Sequence, residues 1–342
     1  MERPMPMNRL VQGDVGSGKT AVAACAMLAA VRCGYQAAMM APTEILAEQH
    51  SINLKRLFEP LGIRVGLIVG KQTAAIKRRQ AQLTQTGDIQ IAVGTHALIQ
   101  EGVKFHRLGL AVVDEQHRFG VRQRLALRNK AVGNPDVLVM TATPIPRTLT
   151  MTLYGDLDLS VIDELPPGRK PIKTHWKRPS DRPAVYQAVR KLIDEGRQAY
   201  FVCPMISENE KVQAQAAQDL HYRLEKEVYP DLRLGLLHGQ MKGVEKEEVM
   251  NKFRAHELDI LVSTVVIEVG VDVPNASVMV VEDANRFGLS QLHQLRGRVG
   301  RGAHQSYCIL VADATSDDAR ERMEIMVETT DGFRIAEKDL QI

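Results

Sequence analysis

The run Gly13-Asp14-Val15-Gly16-Ser17-Gly18-Lys19-Thr20 satisfies G-x-x-x-x-G-K-[ST] at every fixed position. Glycines let the backbone turn so that successive N–H groups face one point, and the amino end of a following helix adds partial positive charge there. That chemistry suits a phosphate chain. Lys19 has the length to reach the outer phosphates, and Thr20 offers a hydroxyl to a divalent cation. A chance Gly-rich turn is the competing reading. The β-rich run before the loop and the apolar run after it make that reading the weaker one.

The stretch Ala111-Val112-Val113-Asp114-Glu115 runs from small and apolar residues into two acids. It reads as a buried strand delivering carboxylates at its carboxyl end, where ligands of open α/β sheets sit. Asp114 is expected to hold Mg²⁺ and Glu115 to polarise an attacking water. Taken alone, the pair could equally be solvated turn acids. Further on, Gln294-Leu295-Arg296-Gly297-Arg298-Val299-Gly300-Arg301-Gly302 gathers arginine and glycine. Phosphoryl transfer needs positive charge at the γ-phosphate, and Arg298 and Arg301, at helical spacing, are expected to share a helix face. The alternative is a basic surface that binds phosphates non-specifically.

The elements that must position these residues follow from hydropathy. Strands are expected near 9–12, 37–41, 64–69, 89–93, 109–113 and 137–140, and helices near 19–33, 45–58 and 74–84. Continuous apolar strands separated by helices predict a parallel sheet covered on both faces. The breaker-rich Leu165-Pro166-Pro167-Gly168-Arg169-Lys170-Pro171 is poor in apolar residues and is placed as a domain boundary. A second alternation follows, with strands near 172–176, 199–203, 232–237, 260–263, 278–281 and 307–311. Its helices fall near 182–195, 212–228, 244–254 and 289–298, and an extra helix near 317–327 belongs to the region that follows. The domains are therefore drawn as 1–165 and 166–315, with 316–342 as the start of a further C-terminal region. No residue-level repeat links the two halves.

Composition narrows the class. The 342 residues suffice for about two domains, and 44% hydrophobic with 25% charged residues is ordinary for a soluble protein. No apolar run approaches the roughly 18 residues of a membrane span, and residues 1–12 lack the apolar stretch of a signal peptide. A cytoplasmic location without membrane contact is expected. Cys25, Cys33, Cys203 and Cys308 form no C-x-x-C pair and read as small buried hydrophobes. Net charge is +3, unevenly spread: residues 1–165 hold 19 Lys+Arg against 14 Asp+Glu, and the remainder 25 against 27. A mildly basic first half permits phosphate contacts without demanding them.

These pieces stand in the order of a superfamily 2 helicase. Ala41-Pro42-Thr43-Glu44, Thr95-His96-Ala97-Leu98, Asp114-Glu115-Gln116-His117, Thr141-Ala142-Thr143-Pro144, Leu237-His238-Gly239-Gln240-Met241 and Ser263-Thr264 with Glu268-Val269-Gly270-Val271-Asp272-Val273-Pro274 resemble its successive motifs. The resemblance covers nearly the whole chain. Within the superfamily the chain is similar to the RecG branch of branch-migration translocases, through Gln12–Gly16, the run from Ala41 to His50, Asp114-Glu115-Gln116-His117-Arg118-Phe119-Gly120-Val121 and the run from Gln291 to Arg301. The transcription-repair coupling translocases are the nearest alternative; they usually carry Glu where this chain has Gln116.

The resemblance implies two tandem RecA-like P-loop NTPase lobes, an α/β fold with a mostly parallel sheet in each. It implies ATP as substrate with Mg²⁺, and duplex and branched DNA as partner, bound largely without sequence preference. Gly270 and Asp272 would approach the nucleotide from the second lobe. Gln116, His117, Thr141, Thr143 and Gln294 would couple hydrolysis to lobe movement. Pro42, Thr43, Thr95, Gly239 and Thr264 would lie along the DNA track, although capping or strand positions are the ordinary roles of such threonines. The chain is expected to act as a monomer. In the family, an upstream aromatic and Gln element reads adenine, RecG adds a fork-wedge domain before it, and a hairpin motif follows the core. Only Met1–Gln12 precedes the loop here, and the sequence stops at Asp339-Leu340-Gln341-Ile342. An incomplete motor core is expected, with weakened ATP hydrolysis and no fork specificity. A fragment that binds nucleotide or DNA without turnover, or a motor on RNA, are the other readings.

Overall fold

The computed structural model describes residues 1, 5–115, 126–127, 129–131, 133–142, 157–164, 170–204, 210–264 and 273–342. The chain divides into two compact units, Met1–Leu165 and Pro166–Ile342.

In the first unit the strands are β1 (Asn8–Gly13), β2 (Gln36–Met40), β3 (Val65–Ile68), β4 (Ile91–Gly94), β5 (Leu108–Val113), β6 (Asp136–Thr141) and β7 (Asp158–Ile162). The helices are α1 (Lys19–Arg32), α2 (Glu44–Phe58) and α3 (Ala74–Thr86). The sheet order is β3-β4-β2-β5-β6-β1-β7, and every pairing is parallel. Successive side chains leave opposite faces of a strand. Val11, Ala37, Met39, Val112 and Leu138 therefore meet α1 and α2 on one face. Leu10, Ala38, Met40, Ala111, Val113 and Val139 form a second core on the other, reached by Ala81 and Leu83 of α3. With both faces covered, the strands read as unbroken apolar runs rather than alternating ones. α1 is rich in alanine, the best helix former, and starts from Gly18 in the left-handed region. α2 starts from Thr43, whose Oγ1 accepts from the Leu46 amide at 3.4 Å.

In the second unit the strands are β8 (Lys173–Lys177), β9 (Gln198–Val202), β10 (Leu234–Leu237), β11 (Ile260–Ser263), β12 (Ala276–Val281) and β13 (Tyr307–Val311). The helices are α4 (Arg182–Asp194), α5 (Glu210–Arg223), α6 (Gly243–Arg254), α7 (Leu289–Arg296), α8 (Asp317–Glu328) and α9 (Gly332–Asp339). The order β10-β11-β9-β12-β13-β8 is again wholly parallel. α4 and α5 cover the face carrying Ala199, Phe201, Val262 and Val280. On the opposite face Tyr200 meets Phe253 of α6, ring centroids 5.0 Å apart. The doubly covered parallel sheet expected from the apolar runs is present in each unit.

Four features differ from expectation. β7 was not anticipated: it is a short edge strand pairing with β1, and its residues are only half-buried or exposed. The helix expected through 228 changes at Leu224–Val228 to the wider π geometry, closed by Tyr229 N donating to Leu224 O at 2.7 Å. α7 stops at Arg296, short of the expected 298. Cys203 and Cys308 are buried as expected, but Cys25 and Cys33 are exposed because they fall on the outer side of α1 and at its end. Residues 316–342 pack into the second unit, α8 on β8 and α7, and α9 on α7.

Candidate functional site

β1 ends at Gly13 and α1 begins at Lys19, and the loop between them turns through Gly16 and Gly18 at φ 75° and 96°. Ser17 N donates to Asp14 O at 3.1 Å, and Val15 N to Asp14 Oδ1 at 2.6 Å. Lys19 is 8% exposed; its Nζ donates to Gly13 O and to Asp14 O, both at 2.7 Å. A buried ammonium is costly unless its protons are paired, so the loop carbonyls hold the charge against the turn. A Cβ on Gly13 would come within 2.5 Å of Ser17 Oγ and 3.1 Å of Ile162 O, so a larger residue there would force the Ser17 side chain to move. Ser17 Oγ is buried with no hydrogen-bond partner among the described residues. An orphaned buried hydroxyl beside the amino end of a helix fits a phosphate-bearing ligand.

β2, β5, β6 and β1 are neighbours in the sheet and end side by side. β5 runs into Asp114, only 8% exposed, whose Oδ1 accepts from Glu115 N at 3.0 Å. Asp114 Oδ2 lies 2.7 Å from His50 Nε2 on α2. An ionised carboxylate can only accept, so Nε2 carries the hydrogen. Glu115 sits at φ 52°, a left-handed conformation that costs energy for a non-glycine residue and gathers at functional sites. Its Oε2 accepts from Ala142 N at 3.4 Å, next to Thr141, which ends β6 and is buried. Asp114 is thus no solvated turn acid. The carboxyl ends of β1 and β5, with β6 between them, carry one ammonium, a helix amino end, the Thr20 hydroxyl and two carboxylates. Thr20 and Asp114 are the oxygens that could hold a hard divalent cation, which also takes phosphate oxygens and water.

His50 closes the run from Ala41 to His50 that resembles a family motif. The signal was present, since Leu46, Ala47, His50, Ser51 and Leu54 form the buried stripe of α2. A histidine on such a stripe needs a polar partner.

The expected track residues also leave carboxyl ends of strands. Pro42 and Thr43 follow β2, with Thr43 serving as the α2 cap. Thr95 directly follows β4 and Thr264 directly follows β11. Both are buried, and the Oγ1 of each has no hydrogen-bond partner among the described residues. Gly239 follows β10, with open space where a Cβ would stand, and its carbonyl accepts from Lys246 Nζ at 2.7 Å. Beside it, burial and then the Lys246 charge hold the His238 imidazole below its ordinary pKa.

The arginine run departs from expectation. Gly297 caps α7 and Gly300 takes φ 82°, so Arg298 and Arg301 lie in the turn after the helix and share no helical face. Both are half-buried and lie near the buried Tyr200 phenol, whose pKa is pushed up by burial against the opposing charges of Arg298 and Arg301. Arg296 differs: its Nη1 donates to Met326 O at 2.9 Å and Thr329 O at 2.8 Å, and its Nη2 meets His293 Nδ1 at 3.0 Å. Gln294 is half-buried on α7. Gln116, His117, Thr143, Gly270 and Asp272 lie outside the described residues.

Residues 4–152 match the family model of the DEAD/DEAH box helicases, and residues 184–303 match that of the helicase conserved C-terminal domain. The chain is 57% identical over 345 residues to the ATP-dependent DNA helicase RecG of Synechocystis, covering 100% of this chain and 41% of that protein. Against the RecG of Bacillus subtilis the figures are 54% over 342 residues, 100% and 50%. The chain spans about half the length of the relatives it matches. A solved structure of RecG bound to a three-way DNA junction superposes with TM-score 0.84 at 47% identity, covering 99% of this chain and 44% of that one. Yeast Dbp5 bound to RNA and ADP BeF3 superposes with TM-score 0.70 at 18% identity, over 99% and 90% of the chains, which is a likeness of fold.

Proposed function

The chain belongs to the superfamily 2 helicases as a helicase core of RecG type, and on that premise we propose that it is the ATP-driven DNA translocase core of an activity that, together with the family's wedge element, remodels stalled forks and Holliday junctions. The observation that supports this reading is that β1, which runs into the Lys19 loop, and β5, which runs into Asp114 and Glu115, end on the same side of one parallel sheet with only β6 between them.

ATP would be held by Gly13, Asp14, Val15, Gly16, Ser17, Gly18, Lys19 and Thr20. Mg²⁺, when bound by Thr20 and Asp114, would bridge phosphate oxygens and neutralise their charge. Glu115 would orient a water; its Oε2 accepts from the Ala142 amide at 3.4 Å. Arg298 and Arg301 would supply positive charge to the γ-phosphate, and Gly270 and Asp272 would contact the nucleotide. Gln116, His117, Thr141, Thr143 and Gln294 would report the nucleotide state. The orphaned hydroxyls of Thr95 and Thr264, with Pro42, Thr43 and Gly239, suit a phosphate backbone, which offers acceptors without sequence information. The protein would act on duplex and branched DNA as a cytoplasmic monomer. Among the described residues, no helix is long and apolar enough to cross a membrane.

The test is ATP hydrolysis with and without forked DNA, wild type beside Glu115→Gln. Hydrolysis stimulated by DNA and reduced at least about a hundredfold in the variant is expected. Wild type indistinguishable from the variant sinks the motor reading.

A further inference from the structure

We propose that His50 is a positioning residue that ties the DNA-track helix α2 to the metal-holding carboxylate Asp114. The inference rests on the reading of Asp114 given above. Both partners are buried, at 6% and 8% exposure, and their atoms meet at 2.7 Å. Asp114 spends one oxygen on the Glu115 amide and offers the other to the imidazole. The rotation of the carboxylate is therefore set by two donors: one is the backbone of the proposed water-orienting residue, and the other is a side chain from a different element. Ligating carboxylates that are themselves hydrogen-bonded hold a cation more tightly than free ones.

The second donor has a particular origin. His50 stands about two helical turns beyond Thr43, the residue that caps α2 and is proposed to touch DNA. A helix is stiff along its axis, so a shift at the Thr43 end moves the imidazole that orients Asp114. Pro42 and Thr43 would thereby communicate DNA occupancy to the cation through one helix and one hydrogen bond. A core histidine with a satisfied ring nitrogen would need only some acceptor, but this one uses the carboxylate at the phosphate site.

The experiment measures Mn²⁺ binding by electron paramagnetic resonance titration in the presence of ADP, with and without duplex DNA. It uses the full chain as wild type, His50→Ala, His50→Asn and His50→Gln. The Gln amide nitrogen reaches the position of Nε2, whereas Ala and Asn do not reach Asp114. Mn²⁺ affinity is expected to fall roughly tenfold in the Ala and Asn variants and to stay within about twofold in the Gln variant. Binding is reciprocal between coupled sites, so DNA should tighten Mn²⁺ in wild type and Gln and lose that effect in Ala and Asn. Two loss variants guard against one failing to fold. Wild-type Mn²⁺ affinity and DNA response in a folded Ala or Asn variant, whatever its melting temperature, would overturn the proposal. Wild type that binds no Mn²⁺ with ADP overturns instead the assignment of Asp114 as a metal-holding group.

Discussion

Arg296, Arg298 and Arg301 occupy one short run, yet the structure gives them different work. Arg296 is 2% exposed, and its guanidinium closes the carboxyl end of α8 through Met326 O and Thr329 O. Removing it strands two buried carbonyls and the end of a helix. Arg296→Ala is expected to cost about 3 kcal/mol of stability by urea unfolding, from hydrogen bonds to a charged group worth about 1.5–3 kcal/mol. Arg298→Ala, half-buried in the turn beyond α7, should stay within about 0.5 kcal/mol of wild type. Its kcat for ATP should drop by about a thousandfold or more if it serves the γ-phosphate. A destabilised Arg298→Ala with intact turnover would reverse the two roles. The sequence displayed the residue types but not this division, because the spacing argument assumed a continuing helix. Gly297 and Gly300 were the missed signal, since glycine just past a periodic stretch marks a helix end. His50 was legible as a polar residue on an apolar stripe, but its partner lies in a strand far along the chain, and no local pattern joins the two.

Elements were legible where apolar runs were continuous. β5 and β12 are buried along almost their whole length, so hydropathy alone locates them within one or two residues. β7 escaped because Asp158-Leu159-Ser160-Val161-Ile162 is an edge strand with one neighbour and a half-wet surface. A comparable edge in the second sheet is held by charge. Asp259, just before β11, accepts from Arg233 N at 2.9 Å, Nε at 3.0 Å and Nη2 at 2.6 Å at the start of β10. Burial raises its pKa, but the hydrogen bonds and charge of Arg233 outweigh this and hold it below the usual aspartate range. A carboxylate whose folded pKa is depressed contributes stability above its unfolded pKa near 3.9 and loses it as pH falls through the lower folded value. Asp259→Asn should therefore cost about 1–3 kcal/mol at pH 7, and much less once pH falls below the lowered folded value. Urea midpoints at the two pH values measure this. A penalty equal at both would show that packing, rather than the ion pair, holds the β10–β11 edge.

At the scale of the molecule, the two units each carry their own parallel sheet and buried core. A unit with its own core can unfold on its own. The phosphate-loop cluster belongs wholly to the first, while the single tryptophan, Trp176, lies in β8 of the second, its Nε1 donating to Ala312 O at 3.0 Å. Trp176 fluorescence therefore reports the second unit alone, and far-ultraviolet circular dichroism reports both. On the proposed reading ADP with Mg²⁺ would bind the first unit through the loop, and a ligand at about a hundred times its Kd adds about 2.7 kcal/mol to the unit that binds it. Urea titrations are expected to show part of the dichroism transition moving to higher urea with ADP while the Trp176 midpoint stays in place. If Arg298 and Arg301 serve the γ-phosphate as proposed, a non-hydrolysable ATP analogue should move the Trp176 midpoint as well. ADP shifting both signals together would mean that the chain unfolds as one block. The analogue leaving Trp176 unmoved would remove the arginines of the second unit from the nucleotide's environment.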